Sequence, residues 1–453
     1  MGLLNFLPDS ILLILQILVL LGSIFIGVKI GGIGIGYAGG IGVVLFAVLF
    51  GITPGDIPTD VILIIASVIA AISAMQVAGG MDYLVGIAEK ILRKHPQYIN
   101  YLAPFITYFL TILAGTGHTA FSIMPVVVDV AKSTNIKPSV PLSLSVVASQ
   151  IAITASPVAA AVVYFSGVLE PFGVSYLNLL AIWISTTFAG CMITSFIIST
   201  FFPLKLDSDT IYQDRLAKGL VSAPKNQESR VSTPEAKRSV LFFLIGVICV
   251  VCYACAISKN IGLIQNVILT RDSAIISFML VIASCIVIFC KANPSEIPQS
   301  SVFKSGMVAC ICVLGVAWLG NTFVQAHIDE IKGYAQSLIT KYPYLLAVGL
   351  AFASMLLYSQ AATAKAIMPA VIVALGITPE NTQNVYILVA SFAAVSALFV
   401  LPTYPTLLGA VQMDDTGTTR IGKMVFNHPF LIPGALAIAL SVALGFLVAP
   451  LLL

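Results

Sequence analysis

Charge is what this sequence has least of. Lys, Arg, Asp and Glu make up 9% of its 453 residues, where a soluble domain carries about 25%. That scarcity excludes an ordinary water-soluble enzyme. The two signs nearly cancel, and a formal net charge of +3 leaves no basic surface for nucleic acid. No His-Glu-x-x-His and no Gly-x-Ser-x-Gly occurs, so neither zinc-protease nor serine-hydrolase chemistry has a foothold. No metal ligand set and no cofactor is implied. Cys249, Cys252 and Cys255 have iron–sulfur spacing, but they sit in an apolar helix without a nearby fourth ligand. They read as small buried helix residues, and the eight cysteines imply no disulfide framework.

What is present is apolar. Hydrophobic residues are 59% of the chain and mean hydropathy is +1.04. These values describe an all-α polytopic membrane protein, with the lipid bilayer as its main partner. Ile11–Val28 is long enough to span and has no basic leader, so it reads as a retained helix and not a signal peptide.

One stretch stands out, Tyr101 to Ala131. About 16 apolar residues lead into Gly115-Thr116-Gly117-His118-Thr119 and about 13 lead out. At ~1.5 Å per residue neither arm crosses a ~30 Å bilayer core comfortably. A polar break between short arms reads as a re-entrant hairpin. Pro343 to Leu375 has the same form, with a polar tip from Tyr358 to Lys365. Pro369 of its exit lies 244 residues after Pro125 of the first. Paired interrupted segments, one per half, point to a transporter's substrate site.

The remaining segments repeat too. In the first half, helices are expected at Ile11–Val28, to about Phe50, and at Val61–Val77. An amphipathic piece, Met81–His95, follows. Pro141–Val168 is broken at Thr154-Ala155-Ser156-Pro157, because proline removes a helical hydrogen bond. Tyr176–Phe202 closes the half. In the second half, helices are expected near Val240–Ile257, Ala274–Cys290 and Phe303–Phe323. An amphipathic piece around His327 to Lys341 precedes the hairpin. Val385–Gln412 is broken at Leu401 to Thr406, and Phe430–Leu451 ends the chain. The expected organisation is a first membrane repeat at 1–204, a cytoplasmic linker at 205–238 and a second repeat at 239–453. Each repeat holds five transmembrane helices plus one re-entrant hairpin, in inverted orientation. Gly32, Gly36 and Gly40 recur every fourth residue, a spacing for close helix contact, and not a dinucleotide fingerprint.

The positive-inside rule sets the orientation. With both termini periplasmic, Lys29, Arg93, Lys94, Lys132, Lys137 and the linker's seven basic residues fall inside. The loop holding Asp56 and Asp60 falls outside. Lys259, Lys332 and Lys341 are the misfits.

Two tips and two broken helices meeting at mid-membrane would aim several helix N-termini at one place, which suits an anion. Thr116, Gly117, His118, Thr119, Thr154, Ser156, Gln360, Thr363, Thr403, Tyr404 and Thr406 are the candidate donors. Lys365 is the charge inside the second hairpin's apolar stretch and a functional candidate on that ground, against a snorkelling lysine that only reaches water. Glu89, Arg93 and Lys137 sit at the cytoplasmic mouth, where they either draw anions in or are simply solvated. Asp414, Asp415 and Arg420 either close a gate or cap a helix.

Several of these stretches carry a resemblance. Ala74 to Gly80, Gly115-Thr116-Gly117, Ile151 to Pro157, Tyr358 to Lys365, Leu401 to Thr406, Gln412 to Lys423 and Phe426-Asn427-His428-Pro429 resemble the anaerobic C4-dicarboxylate antiporters of the DcuA/DcuB type, closest to DcuA. His118 departs from that pattern. The resemblance implies a bacterial inner-membrane exchanger that takes up L-aspartate, fumarate or malate and releases succinate, in support of fumarate respiration or nitrogen supply. It matches charge positions at Glu89, Arg93 and, conservatively, Lys137. The hairpin pair is also similar to the wider ion-transporter superfamily, which implies elevator motion and a homodimer. One substrate carboxylate is assigned to the first hairpin with Thr154 and Ser156. The other is assigned to the second hairpin with Lys365 and Thr403. The rivals are a sodium- or proton-coupled carboxylate symporter, an intramembrane enzyme and a non-transporting sensor partner.

Overall fold

The computed structural model describes residues 2–4, 6–30, 33–202, 204–222, 233–257, 263–327, 341–402, 404–424 and 426–453. Thr403, Lys259, Lys332 and most of the amphipathic piece expected after His327 lie outside the described residues.

The described residues are helical throughout, with two isolated β-bridges. Helices α1 (Asp9–Ile30), α2 (Gly34–Phe50) and α3 (Thr59–Val77) come first, followed by α4 (Gly80–Lys94). The first hairpin is α5 (Ile99–Ala114) and α6 (Ala120–Ser133). A broken helix follows as α7 (Ser139–Ala152) and α8 (Ala160–Leu169), then α9 (Tyr176–Phe201) and a short linker helix α10 (Thr210–Ala217). The second half brings α11 (Pro234–Ala256), α12 (Arg271–Phe289), α13 (Ser301–Cys312) and α14 (Trp318–Ala326). The second hairpin is α15 (Leu345–Leu357) and α16 (Gln360–Ala374). The second broken helix is α17 (Val385–Ser391), continued by tighter turns over Phe392–Phe399, then α18 (Pro405–Met413). Last is α19 (Leu431–Leu452).

Among the described residues, eight helical segments are long and apolar enough to cross a membrane. Ten spans were expected. The shortfall falls on α2 and on the second broken helix, whose longest apolar stretches, Gly36–Phe50 and Val385–Phe399, are too short to span. This is a multi-pass membrane protein whose helices pack on one another through small residues. Gly190 of α9 has no room for a side chain because Ser441 of α19 lies 2.3 Å from where a Cβ would stand.

The glycine reading needs correction. It is Gly36 and Gly39, not Gly36 and Gly40, that meet a neighbour. A Cβ on Gly39 would lie 2.3 Å from the Gly315 carbonyl carbon, while one on Gly40 would meet nothing. Spacing of three suits this crossing because α2 lies against a π-helical segment, Val313–Ala317, set between α13 and α14. The cysteine reading is corrected as well. Cys249 and Cys252 are exposed, because α11 buries the stripe holding Phe243, Val247, Val250 and Ala254 and turns those cysteines outward. Within the linker, Asp209 caps α10 by accepting from the Ile211 and Tyr212 amides.

Candidate functional site

Both hairpins turn by the same backbone device. In the first, α5 ends at Gly115 in the left-handed region, φ +67°, and Thr116 is extended, φ −144°. In the second, α15 ends at Tyr358, φ +57°, and Ser359 is extended, φ −155°. The extended residue then caps the next turn. Thr116 Oγ1 accepts from the His118 amide at 3.4 Å, and Ser359 Oγ accepts from the Ala362 amide at 3.3 Å. A hydroxyl residue is what a helix start needs at that position. The arms of each hairpin pack on each other.

The breaks in the two broken helices meet these tips. In the first break, Ser156 is extended ahead of Pro157, as the residue before proline prefers. Ser156 Oγ donates to the Ile112 carbonyl at 2.6 Å and so ties the break to the first hairpin. A Cβ on Gly115 would stand 2.9 Å from Val158, so glycine is required there by space as well as by φ.

The two halves are joined at Gln150, which is fully buried on α7. Its Nε2 donates to Thr406 Oγ1 of α18 at 2.9 Å. Gln360 Nε2 of the second hairpin approaches the Gln150 carbonyl at 3.3 Å and its Oε1 at 3.4 Å. On the first hairpin, Gly117 leaves only 3.0 Å between an added Cβ and Gln150 Nε2. One side chain thus touches both hairpins and the second broken helix. Sequence reasoning missed it. The signal available was a glutamine inside an apolar span.

Beside this junction is a cavity of about 80 Å³. Both tips line it, with Thr116 and His118 from one and Tyr358, Ser359 and Gln360 from the other. Tyr404 and the first break complete it, and α3 and α13 close it off. The His118 ring lies parallel to that of Tyr404, with centroids 6.4 Å apart, and Tyr358 lies 5.9 Å from Tyr404. His118 Nδ1 and the Tyr358 hydroxyl are buried without a partner among the described residues. Buried polar atoms are normally paired, so both are free for a ligand.

Other candidates are placed elsewhere. Thr119 turns inward, bonding the Thr116 carbonyl at 3.1 Å and Thr111 at 3.2 Å. Thr154 and Thr363 bond back to the Ile151 and Ser359 carbonyls of their own helices. Lys365 pairs with Asp60 at the start of α3 and does not line the cavity. At the linker face, Arg93 pairs with Glu89 at 2.7 Å. Lys137 is separate from them and pairs with Asp209 at 3.1 Å. Asp415 pairs with Lys132 at 3.1 Å and also accepts from Ser222. Asp414 accepts from the Thr416 and Thr419 amides and caps its own turn.

A helical membrane protein with paired hairpins meeting over an enclosed cavity that holds a few polar groups has the form of a membrane transporter, and comparison with known proteins agrees. Residues 12–453 match the family model described as anaerobic C4-dicarboxylate membrane transporter. The chain is 64% identical over 438 residues to a C4-dicarboxylate transporter DcuA of Helicobacter pylori, covering 97% of this chain and 99% of that one. It is 53% identical over 435 residues to the Escherichia coli K12 protein of the same name, covering 96% and 98%. The chain belongs to the anaerobic C4-dicarboxylate membrane transporter family and is a transporter, not an enzyme. A solved structure of Neisseria gonorrhoeae MtrF aligns with 98% of this chain and 96% of its own at 12% identity, with a TM-score of 0.48.

Proposed function

We propose that the protein exchanges C4-dicarboxylates across the bacterial inner membrane, taking up L-aspartate, fumarate or malate against succinate, with the substrate held between the two hairpin tips. The observation that carries this reading is the junction itself, where two tips present an unpartnered imidazole nitrogen and an unpartnered phenol to one cavity. The trailing helices α6 and α16 begin at those tips, and helix starts offer amide N–H groups to an anion.

An inverted repeat accounts for how the packing recurs. The trailing arm α6 packs on α18, and its counterpart α16 packs on α8. The leading arm α5 packs on α7, and α15 packs on the turns after α17. Helix α3 packs on α12, and α13 packs on α2. Each contact has a partner with the halves exchanged. The hairpins, broken helices, α9 and α19 form one packed group, and α1–α3 with α11–α14 form another. Sliding of the first group against the second would carry the cavity from one face to the other. The positive-inside rule puts the linker in the cytoplasm and both termini in the periplasm.

The test is uptake of labelled aspartate into proteoliposomes loaded with succinate or left empty, with and without a sodium gradient. Uptake that needs internal succinate and ignores sodium is expected. Sodium-driven uptake into empty vesicles would make the protein a symporter.

A further inference from the structure

The face opposite the linker carries a second opening that the central cavity does not use. It is a vestibule of about 810 Å³, lined by Tyr164, Glu170, Gln265, Thr270, Arg271 and Asp272. One ion pair lines it, and a second lies behind Tyr164. Arg271 Nη2 holds Glu170 at 3.2 Å, and Arg271 Nη1 donates to Ser166 at 2.9 Å. Lys365 Nζ holds Asp60 and lies 6.0 Å from the ring centroid of Tyr164, which lines the vestibule. Asp60, Arg271 and Lys365 all act electrostatically on Asp272, so the charges form one field. Arg271 Nε is buried and has no partner among the described residues, which leaves a guanidinium donor to spare.

The two pairs join the same two bodies. Asp60 starts α3 and Arg271 starts α12, and those helices pack on each other. Glu170 follows α8 and Lys365 lies in α16, which also pack on each other. Each pair therefore crosses from α3–α12 to α8–α16. A carboxylate of the protein occupies each cation, and a carboxylate ligand offers the same oxygens. A four-carbon dicarboxylate has two of them for two cations.

We propose that this vestibule is a peripheral dicarboxylate site and that its ion pairs are a latch the substrate itself opens, taking the places of Glu170 on Arg271 and Asp60 on Lys365. The inference rests on the dicarboxylate reading above and adds a second station to it. Without substrate the internal carboxylates hold the two bodies together, so an empty carrier stays closed on this face.

Substrate competition and a mere structural tie give opposite patterns. If substrate competes with the internal carboxylates, Asp60→Asn and Glu170→Gln free the cations, and half-saturation by external succinate falls. Lys365→Gln and Arg271→Gln remove the cations, and half-saturation rises. Both pairs are only partly buried, so each shift is about two- to fivefold. If the pairs are only structural, both members of a pair shift it in the same direction. The measurement is the concentration dependence of labelled succinate uptake by intact cells lacking other dicarboxylate carriers, normalised to the amount of folded transporter. Opposite shifts within a pair are expected. Same-direction shifts, or none, overturn the proposal while leaving dicarboxylate transport intact. No saturable uptake by the unaltered protein overturns the underlying reading instead. Where an Arg271 variant fails to fold, the Asp60–Lys365 pair decides alone.

Discussion

The two hairpins share a backbone and differ in chemistry. Each leading arm ends in a left-handed residue followed by an extended hydroxyl residue. The first uses glycine at the left-handed position, and the second uses tyrosine. Glycine adopts φ +67° without steric cost, whereas a side chain there carries strain of about 1–2 kcal/mol. At Gly115 the space is filled by Val158, so nothing larger fits. At Tyr358 the side chain lines the cavity and ends in an unpartnered hydroxyl. Strain of this kind persists where the surroundings over-determine it, commonly at functional sites. The comparison ties Gly115 to close packing against Val158 and Tyr358 to the cavity.

The trailing arms differ as well. Charge on α6 waits until its last turns, where Lys132 pairs with Asp129 and with Asp415 beside the linker. Charge on α16 comes in its second turn, where Lys365 reaches across to Asp60. One hairpin is tied to the linker side and the other to the vestibule.

The sharpest way to break this picture is to remove what both hairpins share. Gln150→Leu deletes the bond to Thr406 and the Oε1 contact with Gln360, which keeps only the backbone carbonyl of residue 150. Loss of a buried polar partner costs about 1–3 kcal/mol. Exchange in proteoliposomes should fall at least about tenfold at constant protein amount, and a fall below twofold would remove Gln150 from the site. Next come the left-handed positions. Gly115→Ala should lower the thermal midpoint in detergent through strain of about 1–2 kcal/mol and the contact with Val158. Tyr358→Phe keeps the buried ring in place and should hold the midpoint, while uptake is lost with the hydroxyl. Equal falls in midpoint would dissolve the contrast.

The smallest effect concerns the linker. Burial works against ionisation of Asp415, but bonds from Ser222 and Lys132 outweigh it and hold the carboxyl below the ordinary aspartate value. At Asp209 burial is likewise outweighed by Lys137 and the Tyr212 and Ile211 amides. A carboxylate with a depressed pKa stabilises the fold above its unfolded value and loses that contribution as pH falls through the folded one. Residues 206–217 should keep slow hydrogen exchange from pH 7 down to about 4 and lose protection only below that. Lys132→Gln and Lys137→Gln should move the loss to higher pH, with an effect of about 1 kcal/mol or less.

Much of this was legible in the sequence. The offset of 244 residues between Pro125 and Pro369 located both hairpins, and both prolines lie inside trailing arms. The second tip was read too long. Gln360 through Lys365 already belong to α16, because Ser359 caps the helix and Ala361, Ala362 and Ala364 favour it. Hydroxyls were harder to assign. A threonine near a tip can face a cavity or bond its own helix, and Thr119, Thr154 and Thr363 do the latter. Gln150 was hidden among Ser145, Ser149 and apolar neighbours. The partner of Lys365 lies 305 positions away, a distance that no local pattern bridges.

In the proposed mechanism the ligand binds where the two tips meet. Succinate-dependent thermal stabilisation of the purified protein tests it most directly, since a ligand that binds only the folded state raises the midpoint by mass action. The account predicts a clear rise for the unaltered protein and its loss when His118→Ala and Tyr358→Phe are combined, with Thr119→Val keeping it. A rise that survives the paired substitution would contradict the account and place the dicarboxylate elsewhere.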